Sequence, residues 1–326
     1  MMRKLGGKIR SSRIGFHVLN RIFDSRLTET KLYKKLYYKK INSVAKKLSN
    51  VLPKSIEIGI TNVCNANCIM CPHHKLKKMG FMDMGLYRKI VDDAVSCGME
   101  RVALSFFGEA MLDKDLEERI QYAKSKGLKV SFFTNASKMD KEKSQMIIRN
   151  KVDDVSVSLD SPNKETYEKI RRNLKFEDVR DNILGLIELK KKMKSDLPAI
   201  GLAIVEMDEN TNELKDFYSD WKDRVNSINI INMRNWSGKS KERKSKTKYP
   251  CALLWQMIVV DWDGEVVLCC NDWNHEEVVG NLNVESIRDV WDGKKLDKVR
   301  KMHLADKVNC VPVCAKCDKK TDWWLL

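Results

Sequence analysis

The chain has 326 residues, is 43% hydrophobic and carries a formal charge of +16, which is enough chain for one large domain or one plus a small appendage. No apolar run reaches the ~18 residues that a membrane-spanning helix needs, and the basic N-terminus has neither an apolar stretch nor a small-residue cleavage site. A cytoplasmic protein is therefore expected, whose ten cysteines serve metal or cluster binding rather than disulfides.

The charge is local. Residues 1–50 hold 14 Lys/Arg against Asp24 and Glu29, and 239–248 hold six against Glu242, so the other 266 residues are close to neutral. Nucleic-acid binding through the body of the protein is not indicated. Residues 1–54 are a basic arm. Within it, Tyr33, Tyr37, Ile41, Val44 and Leu48 recur at a helical period among lysines. Such a helix either packs its apolar stripe on the β/α body that follows or lies on an anionic membrane or an acidic partner.

From Ile56 strands and helices alternate, as in a parallel sheet with crossover helices. Strands are predicted at Ile56–Thr61, Arg101–Phe106, Lys129–Thr134, Asp154–Leu159, Ala199–Val205 and Ser227–Met233. Helices are predicted at Met84–Cys97, Lys114–Lys126, Lys141–Asn150, Thr166–Ile170 running on toward Lys194, and Asn212–Arg224. Behind the first strand comes Cys64-Asn-Ala-Asn-Cys68-Ile-Met-Cys71. Three thiolates at this spacing hold three corners of an iron-sulfur cube, and the missing fourth leaves one iron open to a ligand. The alternative is a closed zinc shell completed by His73 or His74. Cys97, beside Val95 and Met99, is expected in the core.

CxxxCxxC after the first of six β/α units resembles the radical S-adenosylmethionine (SAM) superfamily. The resemblance covers residues 56 to about 235 and implies a partial (β/α)6 barrel whose three cysteines hold a 4Fe-4S cluster. In that family the open iron chelates SAM, and reductive cleavage yields a 5′-deoxyadenosyl radical. After the second strand, Phe107-Gly108-Glu109-Ala110 stands where the family has Gly-Gly-Glu-Pro, implying that Gly108 and Glu109 meet SAM's amino group. By the same resemblance Ser158 meets the ribose, Asn135 and Asp160 the nucleotide or substrate, and Arg171 the SAM carboxylate, with Arg172 as a substitute. Ile204 would face the adenine only if it is not core. Asp160, in Asp-Ser-Pro, equally suits a turn or a helix start.

Residues 236–249 have linker composition. A second unit follows: Cys251, a hairpin turned at Asp263-Gly264 and ending in Cys269-Cys270, then Gly280-Asn-Leu, a helix around Ile287–Trp291, a basic helix to His303, and Cys310-Val-Pro-Val-Cys314-Ala-Lys-Cys317. This order resembles the SPASM/twitch extension of radical SAM enzymes and implies an auxiliary 4Fe-4S cluster on Cys251, Cys269, Cys314 and Cys317. Cys270 and Cys310 are the possible substitutes; a zinc ribbon is the alternative. The expected activity is hydrogen abstraction from a small molecule, such as a sugar or aminocyclitol, with the auxiliary cluster taking up an electron and Asp160 or Arg234 handling a proton. A flavodoxin or ferredoxin would be the reductant. Peptide maturation is the second reading, and a non-enzymatic zinc protein binding nucleic acid a distant third.

Overall fold

A computed structural model describes residues 30–237 and 248–318. The first 29 residues of the arm and 238–247 of the linker lie outside the described residues. Among the described residues nine strands form one sheet: β1 (Ser55–Ile58), β2 (Arg101–Ala103), β3 (Lys129–Thr134), β4 (Asp154–Ser158), β5 (Ala199–Glu206), β6 (Ser227–Asn232), β7 (Val259–Val260), β8 (Glu265–Val267) and β9 (Val278–Asn281). Their spatial order is β6-β5-β4-β3-β2-β1-β7-β8-β9. Strands β1 to β6 run parallel, as the alternation of strand and helix in the sequence requires.

The crossover helices are α2 (Met84–Ser96), α3 (Leu116–Ser125), α4 (Lys141–Arg149), α5 (Lys164–Ile170), α6 (Phe176–Lys192) and α7 (Leu214–Trp221); α1 (Lys31–Leu48) precedes the sheet. Local chemistry sets their starts. Asp83 accepts from the Gly85 and Leu86 amides, and Asp140 caps α4 through Lys143 N. Alternate strand residues Ile56, Ile58, Val102, Val130, Phe132, Val155, Val157, Ile200, Leu202 and Ile204 are buried in the core. Ile204 is thus a core residue.

The single helix predicted from Thr166 toward Lys194 is instead two helices. The chain leaves α5 at Arg171, passes through a left-handed Asn173 and re-enters a helix at Phe176. Asn is one of the few residues that tolerates this conformation, and the break turns Arg171 away from the helix axis and into the site described below.

The described strands of the second unit extend the same sheet. Strand β7 pairs in parallel with β1, and the β7–β8 and β8–β9 pairs are antiparallel. Its helices are α8 (Ile287–Trp291), α9 (Lys294–Leu304) and the short α10 (Pro312–Ala315). Sequence periodicity places the hairpin but says nothing of its partner, because backbone pairing between distant strands leaves no local pattern.

Helix α1 packs on this second unit rather than on the β/α body. Tyr37, Ile41 and Ala45 are buried. The Tyr37 hydroxyl donates to the Pro250 carbonyl (2.8 Å), and its ring meets Tyr249 edge-on at 4.9 Å. Lys34 and the Tyr38 hydroxyl both reach Asp306 at 2.5 Å, just past the end of α9. Tyrosine hydroxyls that find carbonyl and carboxylate partners explain why an arm rich in Tyr docks here.

Candidate active site

Cys64, Cys68 and Cys71 lie in the loop behind β1, held from two sides. Asn67 N donates to Arg172 O and Ile69 N to Ile170 O, both at 3.0 Å, so the end of α5 is stitched to the cysteine loop. From the other side, Glu109 N donates to Val63 O (2.8 Å). Burial pushes the Cys64 thiol up to about 11 and Cys71 up to about 12, and the charge of Cys68 adds to both. Cys64 and Cys71 therefore sit where burial favours the neutral thiol until a cation arrives.

Gly108 explains the close approach. Its φ is +127°, and a Cβ there would stand 2.3 Å from the Thr61 carbonyl oxygen. Only glycine fits both conditions. Gly108→Ala is expected to lower stability by roughly 1–3 kcal/mol and to loosen the Glu109–Val63 contact. Thermal melting of the apo-protein checks this, and an unchanged melting temperature would refute it.

Glu109 is buried, and burial raises its pKa while three donors pull it down. It accepts from Thr134 Oγ1 (2.5 Å), Asn135 N (2.6 Å) and Met111 N (3.1 Å). This carboxylate ties β2 to the end of β3. Asn135 directs its side chain toward the cysteine loop, donating to Asn65 Oδ1 at 3.0 Å. Ser158 lies half-buried on the opposite face of β4 from Val155 and Val157. Asp160 is fully buried: one oxygen meets Arg171 Nε at 2.5 Å and the other accepts from Val205 N at 2.7 Å. The same guanidinium reaches toward Cys68 Sγ, Nη1 to S 3.6 Å. Arg172 points to solvent and joins the site only through its carbonyl.

One residue here was not legible in sequence. Tyr167, on α5 one turn before Arg171, is fully buried, and its hydroxyl has no hydrogen-bond partner. Cys68, Arg171, Asp160 and Glu109 all act on it electrostatically. A buried hydroxyl without a partner is costly, and these neighbours place it beside the first cysteine group.

The second cysteine group is gathered from three stretches of chain, at 251, 269–270 and 314–317. Burial, and then Cys270, Cys251 and Cys314, raise Cys269; burial, and then Cys251 and Cys317, raise Cys314. Cys317 Sγ accepts from Asn271 Nδ2 at 3.6 Å. The Cys251 amide donates to His303 Nδ1 (3.1 Å), and burial lowers that imidazole to about 4, so it is neutral and can accept. Cys270 turns to Arg234, whose Nη1 lies 3.1 Å from its sulfur and 3.1 Å from Asn271 Oδ1. Cys310 is exposed, and Cys97 caps the end of α2, half-buried.

A single zinc ion holds sulfurs at about 2.3 Å from a common centre. Among the described residues, the one His/Cys/Asp/Glu set with ligand atoms mutually within 4.8 Å is Asp261, Asp263 and His275. His73 Nε2 is 2.7 Å from the Asn62 carbonyl and His74 is exposed. In the Asp261 set, His275 already bridges two carboxylates, Asp261 (2.9 Å) and Glu265 (2.7 Å). Burial alone would lower its pKa, but these partners carry it up to about 9. Protonated and donating to both carboxylates, His275 has no lone pair left for a metal ion.

The segment after β6 joins the two cysteine groups. Trp236 Nε1 donates to Met70 O (2.5 Å), two residues after Arg234 meets Cys270. Asn235 Nδ2 donates to Lys316 O (2.8 Å). Phe107 stands edge-on to Trp236 at 5.1 Å and near Trp273 at 6.5 Å.

Residues 58–214 match the profile of the Radical SAM superfamily, and 251–318 match SPASM, an iron-sulfur cluster-binding domain. The chain belongs to the radical SAM superfamily. It is a radical SAM enzyme of the SPASM type, using SAM, a SAM-binding 4Fe-4S cluster and an auxiliary iron-sulfur cluster. The S-adenosyl-L-methionine-dependent 2-deoxy-scyllo-inosamine dehydrogenase of Niallia circulans is 23% identical over 273 residues, 81% of this chain and 92% of that protein. A probable GTP 3′,8-cyclase of Methanocaldococcus jannaschii is 30% identical over 183 residues, 55% and 58% of the two chains. BtrN in complex with AdoMet and 2-DOIA superposes with a TM-score of 0.59 over 83% of this chain and 94% of its own, at 18% identity. Streptococcus suis SuiB bound to precursor peptide SuiA gives 0.62 over 80% and 70%, at 13% identity. At these identities the two structures show the fold alone. No helix among the described residues is long and apolar enough to cross a membrane.

Proposed function

We propose that the protein oxidises a polar small molecule of the sugar or aminocyclitol class. The observation that carries this reading is the sheet face turned away from the buried apolar row. Register aligns Phe133, Ser156, Gly201 and Ser227 across it, and Ser158, Ala203 and Asn229 in the next row. A Cβ on Gly201 would meet Ser227 Oγ at 2.8 Å and Ser156 Oγ at 3.4 Å. Small hydroxyl-bearing residues leave room and offer donors and acceptors that suit a polyol. Similarity to the inosamine dehydrogenase along most of both chains supports the same class.

The donor sets fit the family's cofactors. Cys64, Cys68 and Cys71 would hold the SAM-binding cluster; Cys251, Cys269, Cys314 and Cys317 would hold the auxiliary one. When bound, these groups supply a hydrogen-abstracting radical and an electron acceptor. Gly108 and Glu109 would then receive the SAM amino group, Arg171 its carboxylate, and Ser158 its ribose. Asp160, with both oxygens engaged, serves as the anchor of Arg171 and leaves the proton of the substrate hydroxyl to another group. Glu57 fits that role: it shares the polar face with Ala103 and Ser131 across the sheet, burial raises its carboxyl pKa, and only Arg234 opposes this. A carboxyl whose pKa burial raises is a better proton acceptor than an ordinary surface carboxylate.

The test uses the anaerobically reconstituted enzyme with SAM and a chemical or flavodoxin reductant, offered aminocyclitols, sugars and cysteine-containing peptides. One 5′-deoxyadenosine per ketone formed from a polyol supports the reading. Coupled turnover with a peptide and none with polyols would replace it by peptide maturation.

A further inference from the structure

Helix α1 carries two faces with different tasks, and the function above uses neither. The face bearing Tyr37, Ile41 and Ala45 is consumed by docking on the second unit. The opposite face presents Leu32, 68% exposed, and Leu36, 51% exposed, one helical turn apart. At 100° per residue, Lys39, Ser43 and Lys46 continue that stripe, and Lys31, Lys35, Lys40 and Lys47 flank it, all exposed. The helix contains no Asp or Glu, so its exposed lysines have no acidic partner at i±3 or i±4. The 30 residues that precede it in sequence add seven Lys/Arg against Asp24 and Glu29.

A solvated helix face explains lysines but not two leucines at the centre of them. A nucleic acid would use the lysines and leave the leucines in water. An anionic bilayer surface satisfies both, because apolar side chains enter the headgroup region while the cations stay at the phosphate level. We propose that the outward face of α1 is a peripheral docking surface for an anionic phospholipid membrane. The lysine stems can lie along the interface with their ammonium groups in the headgroup layer. The rigid attachment of α1 to the second unit, through Tyr37–Pro250 and Lys34–Asp306, makes the docked enzyme one body with its cysteine site.

Sedimentation of the full-length holoprotein with vesicles tests this. Phosphatidylcholine vesicles containing phosphatidylglycerol should carry the protein down and pure phosphatidylcholine should not, with binding falling steeply between 50 and 500 mM salt, roughly as screening shortens. Leu32→Ser/Leu36→Ser and Lys35→Glu/Lys39→Glu variants should each bind at least tenfold more weakly while keeping their iron content and melting temperature. No binding to anionic vesicles would overturn the proposal. So would undiminished binding by both variants, which would assign the attraction to residues 1–29, or displacement from vesicles by an equal charge of duplex RNA.

Discussion

Replacing Cys64, Cys68 and Cys71 together by alanine will halve the iron and sulfide of the anaerobically purified protein and abolish reductive SAM cleavage, while the auxiliary site keeps its share. The loop offers no substitute ligand: His73 is engaged with the Asn62 carbonyl, His74 points to solvent, and Glu109 is held by three donors of its own. The second cysteine group is built by different elements, so losing the first should not empty it. Conversely, alanine at Cys251, Cys269, Cys314 and Cys317 should leave SAM cleavage intact but uncouple it from substrate oxidation. Iron, sulfide and zinc per chain, with 5′-deoxyadenosine counted by chromatography, read both variants. Equal iron in the parent and the first variant, or stoichiometric zinc in the parent, would refute the two-centre assignment.

The contrast between the two cysteine groups also marks how far sequence carries. The first is contiguous, and its spacing alone points to three ligands. The second is scattered over 67 positions, and its membership rests on a resemblance; in the structure Cys270 turns toward Arg234 and Cys310 lies at the surface. The six parallel strands were legible because each shows apolar alternation bounded by turn residues, and their ends moved by only a few residues. Tertiary pairings were not. Nothing local in Val259–Val260 announces that it extends the β1 edge, and nothing in the α1 stripe says which apolar surface receives it. Tyr167 was missed for a related reason: a tyrosine at helical spacing looks like core, and only the absence of a partner for its hydroxyl singles it out. Asp160 had the opposite history. Its Asp-Ser-Pro context favoured a turn and its position a catalytic role, whereas its contacts belong to Arg171 and the Val205 amide.

That last pairing is where a single atom should have the largest effect on stability. The Asp160 side chain is fully buried and that of Arg171 is 12% exposed, at 2.5 Å. A guanidinium in such a place is tolerated because Asp160 is there; burial alone disfavours its charge, and Asp160 with Cys68 more than restores it. Asp160→Asn keeps the shape and removes the charge. The expected cost is about 3–5 kcal/mol, the range for leaving one member of a buried ion pair alone. Arg171→Met strands Asp160 instead, but Val205 N still donates to the carboxylate, so its cost should be smaller. The double variant should recover part of the Asp160→Asn loss, since no unpaired charge is left. SAM affinity separates stability from function: it should fall in all three variants and recover in none, because the double variant has no fork for a carboxylate. Denaturant midpoints of the apo-proteins and SAM binding to the reconstituted ones give the two readouts. If Asp160→Asn unfolds at the parent midpoint, the pair does not hold this part of the molecule. If the double variant binds SAM as the parent does, Arg171 is not the carboxylate's partner, and a different cation at the cysteine loop must be.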